Sequence, residues 1–283
     1  MGAVTIGSVL LHDKRLPGVV ADEFGVKWGL TKLEGWDDGW EGSGTVDQKS
    51  QADGAWISPQ YAGPRVVHVG GLIEAESFDA VTLAWDRLLG QVPFRSLASL
   101  GVAVGDGSVP DRSALVRQHE KPLLNRPTLR TGEFSLSLLA PDPRKYATFA
   151  QSVNLVLPFT SGGIAPPLTP PLTVTGSSSL SQATVTNSGN VLTYPTLTVV
   201  GPCPPARIAN LTTSEVIRVV DPVLAGESLV IDVLNGTATI NGQSRRVLGS
   251  WWGLVPGANE VAFAADGYDA DAELSMSFRS AWK

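Results

Sequence analysis

Hydrophobic and polar positions alternate most regularly in the last third of the chain. Leu197-Thr198-Val199-Val200 and Glu215-Val216-Ile217-Arg218-Val219-Val220 are short, β-branched runs. Ser228-Leu229-Val230-Ile231-Asp232-Val233 places Leu229, Ile231 and Val233 on one face of a strand. Asn235-Gly236 predicts a tight hairpin with both turn residues at positive φ, leading into Thr237-Ala238-Thr239-Ile240. Asn241-Gly242 marks a second turn, and Asn187–Asn190, Pro222, Ala225-Gly226 and Pro256-Gly257 supply others. The alternation returns in Glu273-Leu274-Ser275-Met276-Ser277-Phe278-Arg279. Strands at intervals of about 8–12 residues with turn residues between them predict an antiparallel β-sandwich.

The first half reads differently. Val4, Ile6 and Val9-Leu10-Leu11 predict an opening strand, and Arg65 to Ile73 a central one. From Phe78 the period lengthens: Phe78, Val81, Ala84, Trp85, Leu88 and Leu89 recur at steps of three and four, one face of a helix. Ser77 is the expected N-cap and Gly90 the expected stop. Period two resumes between Arg130 and Leu139, with Phe134, Leu136 and Leu138 on one face and Glu133, Ser135 and Ser137 on the other. No internal repeat is present.

Five prolines fall between Pro158 and Pro171. Proline cannot donate to a ladder and restricts the residue before it, so this stretch predicts an extended, poorly paired connection. It divides the chain into residues 1–155, a linker over 156–171 and a second domain over 172–283; the alternative is a long crossover within one domain. With 283 residues, 43% of them hydrophobic, the chain can bury a sizeable core. Gly 30 and Pro 20 suit many turns between short strands. The net charge of −6 is spread over both halves, 15 basic and 18 acidic side chains in residues 1–155 against 6 and 9 in residues 172–283. No basic face is available to neutralise phosphates, which argues against direct nucleic-acid binding. No basic region followed by an apolar stretch opens the sequence, and no apolar run approaches about 18 residues, so neither a signal peptide nor membrane insertion is expected.

The search for chemistry gives little. One cysteine, Cys203, rules out an intrachain disulfide, and its proline-rich setting suits a buried or incidental thiol better than a nucleophile. His12, His68 and His119 lack the spacing of a helix-borne zinc site. His12-Asp13 could be half of a triad, but no Gly-x-Ser-x-Gly turn completes it. No phosphate loop is present, and Val104-Gly105-Asp106-Gly107 is a turn rather than a dinucleotide fingerprint. Asp266, Asp269, Asp271 and Glu273 fit a solvated strand edge better than a calcium loop. Trp36-Asp37-Asp38-Gly39-Trp40-Glu41-Gly42 mixes aromatics with carboxylates, as glycoside hydrolases do, yet no second acidic centre accompanies it. A projecting interface loop is the better expectation for Trp36 and Trp40. Phe134 and Leu136, on an alternating ribbon, are the other candidate interface residues. Trp251 and Trp252 are adjacent on a strand and point to opposite faces, so one belongs to the core and the other is open to a weak sugar contact. No catalytic residue, cofactor or metal is assigned.

An ordered set of segments carries a resemblance. It runs Thr186-Asn187-Ser188-Gly189-Asn190, Tyr194-Pro195-Thr196-Leu197-Thr198-Val199, Gly201-Pro202 and Ile208-Ala209-Asn210-Leu211-Thr212-Thr213. It continues through Ala225 to Asp232 and Asn241 to Arg245, and closes on Ser250-Trp251-Trp252-Gly253-Leu254-Val255-Pro256-Gly257-Ala258-Asn259. This order, with Ala140-Pro141-Asp142-Pro143-Arg144-Lys145-Tyr146 ahead of it, resembles the distal tail proteins of long-tailed, non-contractile bacteriophages (siphophages). The likeness covers residues 130–283; before them only the order of strands and helix fits.

The resemblance implies a mainly β structural protein of the virion, not an enzyme. It implies an N-terminal β-sandwich-like ring domain with one helix and a β-hairpin arm. A C-terminal galectin-like or carbohydrate-module-like antiparallel sandwich would lie on the periphery. The implied assembly is a homo-hexamer at the tail tip, made in the host cytoplasm, that joins the tail tube protein to the tail-tip hub and receptor-binding proteins. DNA would pass through the ring without specific binding, which suits an acidic chain. The runner-up is a host cell-wall carbohydrate-binding module, and a weaker third reading is a secreted glycosidase.

Overall fold

The computed structural model describes residues 3–13, 19–103, 109–158, 160–162, 176–178 and 181–283. It separates into two units, Met1–Thr148 with Lys283, and Phe149–Trp282.

In the first unit the alternation of the opening residues folds into β1 (Ala3–Ile6) and β2 (Val9–Asp13), a hairpin with Ile6 opposite Val9. β3 (Lys27–Glu34) follows, then four short strands: β4 (Gly42–Ser43), β5 (Val46–Gln48), β6 (Ala55–Ile57) and β7 (Tyr61–Ala62). β8 (Arg65–Glu74) precedes α1 (Phe78–Gln91), and β9 (Ala98–Ala103), β10 (Arg112–Gln118), β11 (Leu123–Thr128), β12 (Thr131–Ala140) and β13 (Lys145–Ala147) complete the unit. The main sheet runs β12-β8-β3-β2-β1-β9-β10, with β2 and β3 parallel. It then returns on itself. β12 is ten residues long and shares one edge between two partners, β11 at Leu123↔Ser135 to Thr128↔Thr131, and β10 at Arg117↔Leu139 and Gln118↔Leu138. The sandwich-like domain is therefore closed. Val4, Ile6, Leu11, Val69, Leu100, Val116 and Leu138 fill it.

Helix α1 starts where expected, with Ser77 Oγ accepting from the Ala80 N–H at 3.1 Å. It runs through Gly90 and buries Val81, Ala84 and Leu88. Trp85 stands 6.4 Å from Phe134, which meets Trp28 edge-on at 6.5 Å. Gly71 makes room for that ring: a Cβ there would lie 2.3 Å from Phe134 Cζ and 2.7 Å from the Gly29 carbonyl.

The approach to β3 is held by Asp22. Its Oδ1 accepts the Phe24 and Val26 N–H groups, both at 2.9 Å. Its Oδ2 takes Trp28 Nε1 at 2.8 Å and Arg87 Nη2, from α1, at 2.6 Å. Burial pushes the carboxyl up, but the Trp28, Val26 and Phe24 donors and the Arg87 charge together hold it below the ordinary 3.8. A carboxyl with a lower folded than unfolded pKa contributes stability that is complete above the unfolded value and disappears as the pH falls through the folded one. Asp22→Asn is accordingly expected to cost about 1–3 kcal/mol at pH 7. It should also flatten the loss of stability below pH ~4, and urea midpoints at pH 7 and pH 3 measure both effects.

The second unit opens with β14 (Gln151–Val156), β15 (Thr160–Gly162), β16 (Gly176–Ser178), β17 (Gln182–Asn187), β18 (Thr196–Val200), β19 (Ala206–Asn210) and β20 (Glu215–Val219). It continues with β21 (Ser228–Asp232), β22 (Thr237–Ile240), β23 (Gln243–Ser244), β24 (Val247–Gly249), β25 (Gly257–Ala265), β26 (Glu273–Phe278) and β27 (Ala281–Trp282). Two antiparallel sheets result, β14-β26-β18-β21-β22-β23 and β17-β25-β19-β20-β24. Leu197, Leu229, Ile231 and Met276 from one and Ile208, Ile217, Val261 and Phe263 from the other build the core.

Two expectations are corrected. The division of the chain falls at Thr148/Phe149, not after residue 155, because β14 pairs along β26 from Gln151↔Phe278 to Val156↔Glu273 and buries Leu155 in the second core. Of the expected linker 156–171, Val156 ends that strand and Thr160–Gly162 form β15, paired with β16, while 159 and 163–171 lie outside the described residues. Nor is Asn235-Gly236 a two-residue turn. Asp232 pairs with Thr237, so four residues close the loop, and Gly236 at φ +62° is the left-handed one. The tight turn is Asn241-Gly242, with φ +50° and +77° between Ile240 and Gln243.

Candidate functional site: a projecting hairpin and its buried anchor

Between Trp40 and Arg65 the chain leaves the closed sheet as a ribbon. β4 pairs with β7, and β5 with β6 in the register Val46↔Ile57, Asp47↔Trp56, Gln48↔Ala55. Gly54, at φ +95°, turns the tip, where the Lys49 N–H donates to the Gly54 carbonyl at 3.2 Å. Both faces of this arm meet solvent: Val46 is 60% exposed, Trp56 69%, and Ile57 and Tyr61 71% each. An isolated two-stranded ribbon has no core of its own. Large apolar side chains grouped in water on such a ribbon mark a contact surface.

The arm's base is built around Arg65, the first residue of β8, which is 6% exposed. Its Nη1 donates to the carbonyls of Gly35, Trp36 and Asp38 at 2.7, 3.0 and 3.0 Å, and its Nε to that of Pro143 at 3.0 Å. Lys145 Nζ donates to the Trp36 carbonyl at 2.9 Å, and Trp40 Nε1 to Pro143 at 3.3 Å. Tyr146 OH donates to Asp142 Oδ2 at 2.6 Å, steadying the far side. Two sequence segments that looked unrelated, Trp36–Trp40 and Ala140–Tyr146, are thus the two halves of one anchor. Burial lowers the Arg65 pKa, with Asp38 and Asp37 opposing. Burial and the neighbouring Arg65 charge bring Lys145 down to about 8.

This arrangement corrects the expected interface residues. Trp36 is 1% exposed and serves the core through its ring and the anchor through its carbonyl. Phe134 and Leu136 are 4% and 0% exposed, on the inner face of β12. Trp40 is half-buried. The polar and glycine-rich sequence from Gly42 to Ala62 carries the exposed surface instead, and the signal that marks it is Asp53-Gly54, a turn dipeptide between Val46 and Trp56-Ile57.

In the second unit, the segments Asn187–Asn190, Ile208–Thr213 and Ser250–Asn259 meet at one knot of backbone. Asn187 Nδ2 donates to the Val191 and Leu254 carbonyls at 2.8 and 3.0 Å, and its Oδ1 accepts from Gly189 and Ala281 at 3.0 and 3.3 Å. Asn210 donates to the Gly253 carbonyl at 3.0 Å and accepts from Thr212 and Thr213. Asn259 donates to Val255 and Gly257 and accepts from Val255. All three asparagines are essentially buried, and each pairs both ends of its amide, as burial demands. Trp252, 1% exposed, sits among them and donates to the Ile208 carbonyl at 3.3 Å. Trp251 is 38% exposed and lies against Gly236 in the β21–β22 turn, where both Asp232 oxygens are occupied by Asn235. Cys203 is buried, which raises its thiol pKa to about 11. His68 is half-buried on β8 opposite Ser137, and His119 is exposed.

Residues 188–282 match the family model described as siphovirus-type tail component, C-terminal domain. No curated protein matches the chain. Among solved structures, the chain is similar to the crystal structure of SPP1 Dit (gp 19.1), a hub adsorption apparatus protein of phages infecting Gram-positive bacteria. That likeness has 13% identity and a TM-score of 0.62, and covers 90% of this chain and 94% of that one. It is also similar to a chain of the phage P2 baseplate in its activated, calcium-bound conformation, at 10% identity and a TM-score of 0.50, covering 97% of this chain and 96% of that one. At such identities the structural likeness speaks for the fold, while the matched segment takes in most of the asparagine knot. Residues 188–282 are thus similar to the C-terminal domain of siphovirus-type tail components, and the chain as a whole has a fold similar to that of SPP1 Dit.

Proposed function

We propose that this protein is a structural component of the siphophage tail tip. Its N-terminal unit builds a hexameric ring that joins the tail tube to the tail-tip and receptor-binding proteins around the path of the DNA. The arm carries this reading: four large apolar side chains stand in water on a ribbon whose base is held by a buried arginine and a buried lysine. That combination of firm base and uncovered tip suits insertion into a neighbour. The net charge of −6 supports passage of DNA without binding to it.

Light scattering on the purified chain, with negative-stain electron microscopy, tests the reading. The expected result is an annular particle with the mass of six 29.8 kDa copies. Trp56→Ser with Ile57→Ser should shift the population toward monomer without changing the thermal midpoint of the subunit by more than a degree or two, since both residues are exposed. A wild-type chain that stays monomeric at high concentration counts against the ring.

A further inference from the structure

A heterologous ring contact needs a second, different patch to receive the arm. The outer face of β9 and β10 has the chemistry for it. We infer that the Asp47–Trp56 face of one copy's arm docks on the Phe94–Leu97–Leu115 patch of the next copy; this rests on the ring reading and names the acceptor surface.

The patch follows from register. Leu100, Ala114 and Val116 point into the core, so the facing pair Ser99↔Leu115 points outward. Two residues along from that pair, Leu97 and Arg117 are exposed too. Phe94 is brought alongside by the hydrogen bond from the Gln118 N–H to the Pro93 carbonyl, at 3.0 Å. Phe94, Leu97 and Leu115 are 68%, 47% and 50% exposed. Charge selects the occupant. Of the exposed residues among 93–99 and 112–118, two are arginines, Arg95 and Arg117, and none is a carboxylate, in a chain that is acidic overall. The arm, residues 41–63, carries Glu41, Asp47 and Asp53 against Lys49. On the arm, Asp47 and Trp56 face each other across the ribbon and share one face. A tryptophan entering an apolar floor beside an arginine that meets a carboxylate is the composition of a binding hot spot. Both surfaces are open in the single copy, so the arm does not satisfy its own patch.

The test places the photo-crosslinker p-benzoylphenylalanine at position 56, where it keeps an aromatic ring, in a mixture of isotope-labelled and unlabelled full-length chains. Crosslinked peptides joining position 56 to residues 93–118 of another copy are expected. Alongside, Asp47→Arg and Arg117→Glu should each weaken assembly about tenfold, and the double reversal should restore most of it. Crosslinks that map elsewhere within an assembled ring overturn the docking and leave the ring standing. A chain that stays monomeric and gives no intermolecular crosslink overturns both. Single reversals with no effect, or a double variant weaker than either, likewise overturn the pairing of Asp47 with this face.

Discussion

Arg65→Met should cost the N-terminal unit about 3–5 kcal/mol, because it leaves the carbonyls of Gly35 and Asp38 without their donor and takes from Pro143 the stronger of its two. For a unit of this size that is a fall of roughly 10 °C in the melting midpoint. Trp36 keeps one donor in Lys145, so the loop should loosen rather than unfold completely. The same change removes a like charge from beside Lys145, whose pKa should rise from about 8 toward its ordinary 10.5. The sign of the pH dependence follows. Between those two values the unfolded chain holds a proton that the folded chain has released, so wild-type stability climbs with pH across that window. In Arg65→Met the climb should shrink. Arg95→Met, at an exposed position, should move the midpoint by no more than about 0.5 kcal/mol. If the two methionine variants melt alike, Arg65 is not the anchor described.

Trp252→Ala should destabilise the C-terminal unit by about 3–5 kcal/mol, the usual range for deleting a buried tryptophan. The loss combines the indole's packing, the hydrogen bond to the Ile208 carbonyl and a cavity among three asparagines that cannot collapse without losing their own partners. Trp251→Ala removes a ring that is more than one-third exposed and touches a turn glycine, so a loss of about 1 kcal/mol or less is expected. Chemical denaturation followed by far-ultraviolet circular dichroism, which does not depend on the deleted fluorophores, measures both. Equal losses would mean that the two side chains share the core, against the burial of Trp252 and the exposure of Trp251, which lie between strands β24 and β25 rather than on one.

These particulars show which parts of the molecule a sequence exposes. The second unit was largely legible because its strands have one wet face, and a period of two survives in Ser228–Val233 and Glu273–Arg279. Its hairpin at Asn235-Gly236 was misjudged because the turn dipeptide states that the chain reverses, not how many residues the pairing of Asp232 with Thr237 encloses. Helix α1 was legible from period and cap alone. The Trp36–Trp40 loop read as surface because its aromatics sit among Asp37, Asp38 and Glu41. Only contacts distant in sequence, such as that of Lys145 with the Trp36 carbonyl 109 residues away, show that Trp36 is buried. The arm was illegible for the opposite reason: its apolar residues are too sparse to mark a core, and a ribbon exposed on both faces imposes no alternation of apolar and polar positions. The prolines after Leu157 mark neither the break between units nor a complete loss of pairing, since Thr160–Gly162 still pair with Gly176–Ser178.

The anchor at Arg65 has a consequence in mechanical leverage. Each strand of the arm, Gly42–Gln48 and its return, reaches about 20 Å at the ~3.3 Å rise of extended chain, so a tilt of about 10° at the base would carry the tip about 4 Å sideways. That is nearly the spacing of neighbouring strands, enough to miss a side-chain-sized acceptor altogether. A closed assembly also compounds any angular error at every joint before the last subunit meets the first. Cations fixed on the carbonyls of Gly35, Trp36, Asp38 and Pro143 act as the bearing of that lever, and angular tolerance, more than stability, is what a buried arginine and lysine at its foot would secure.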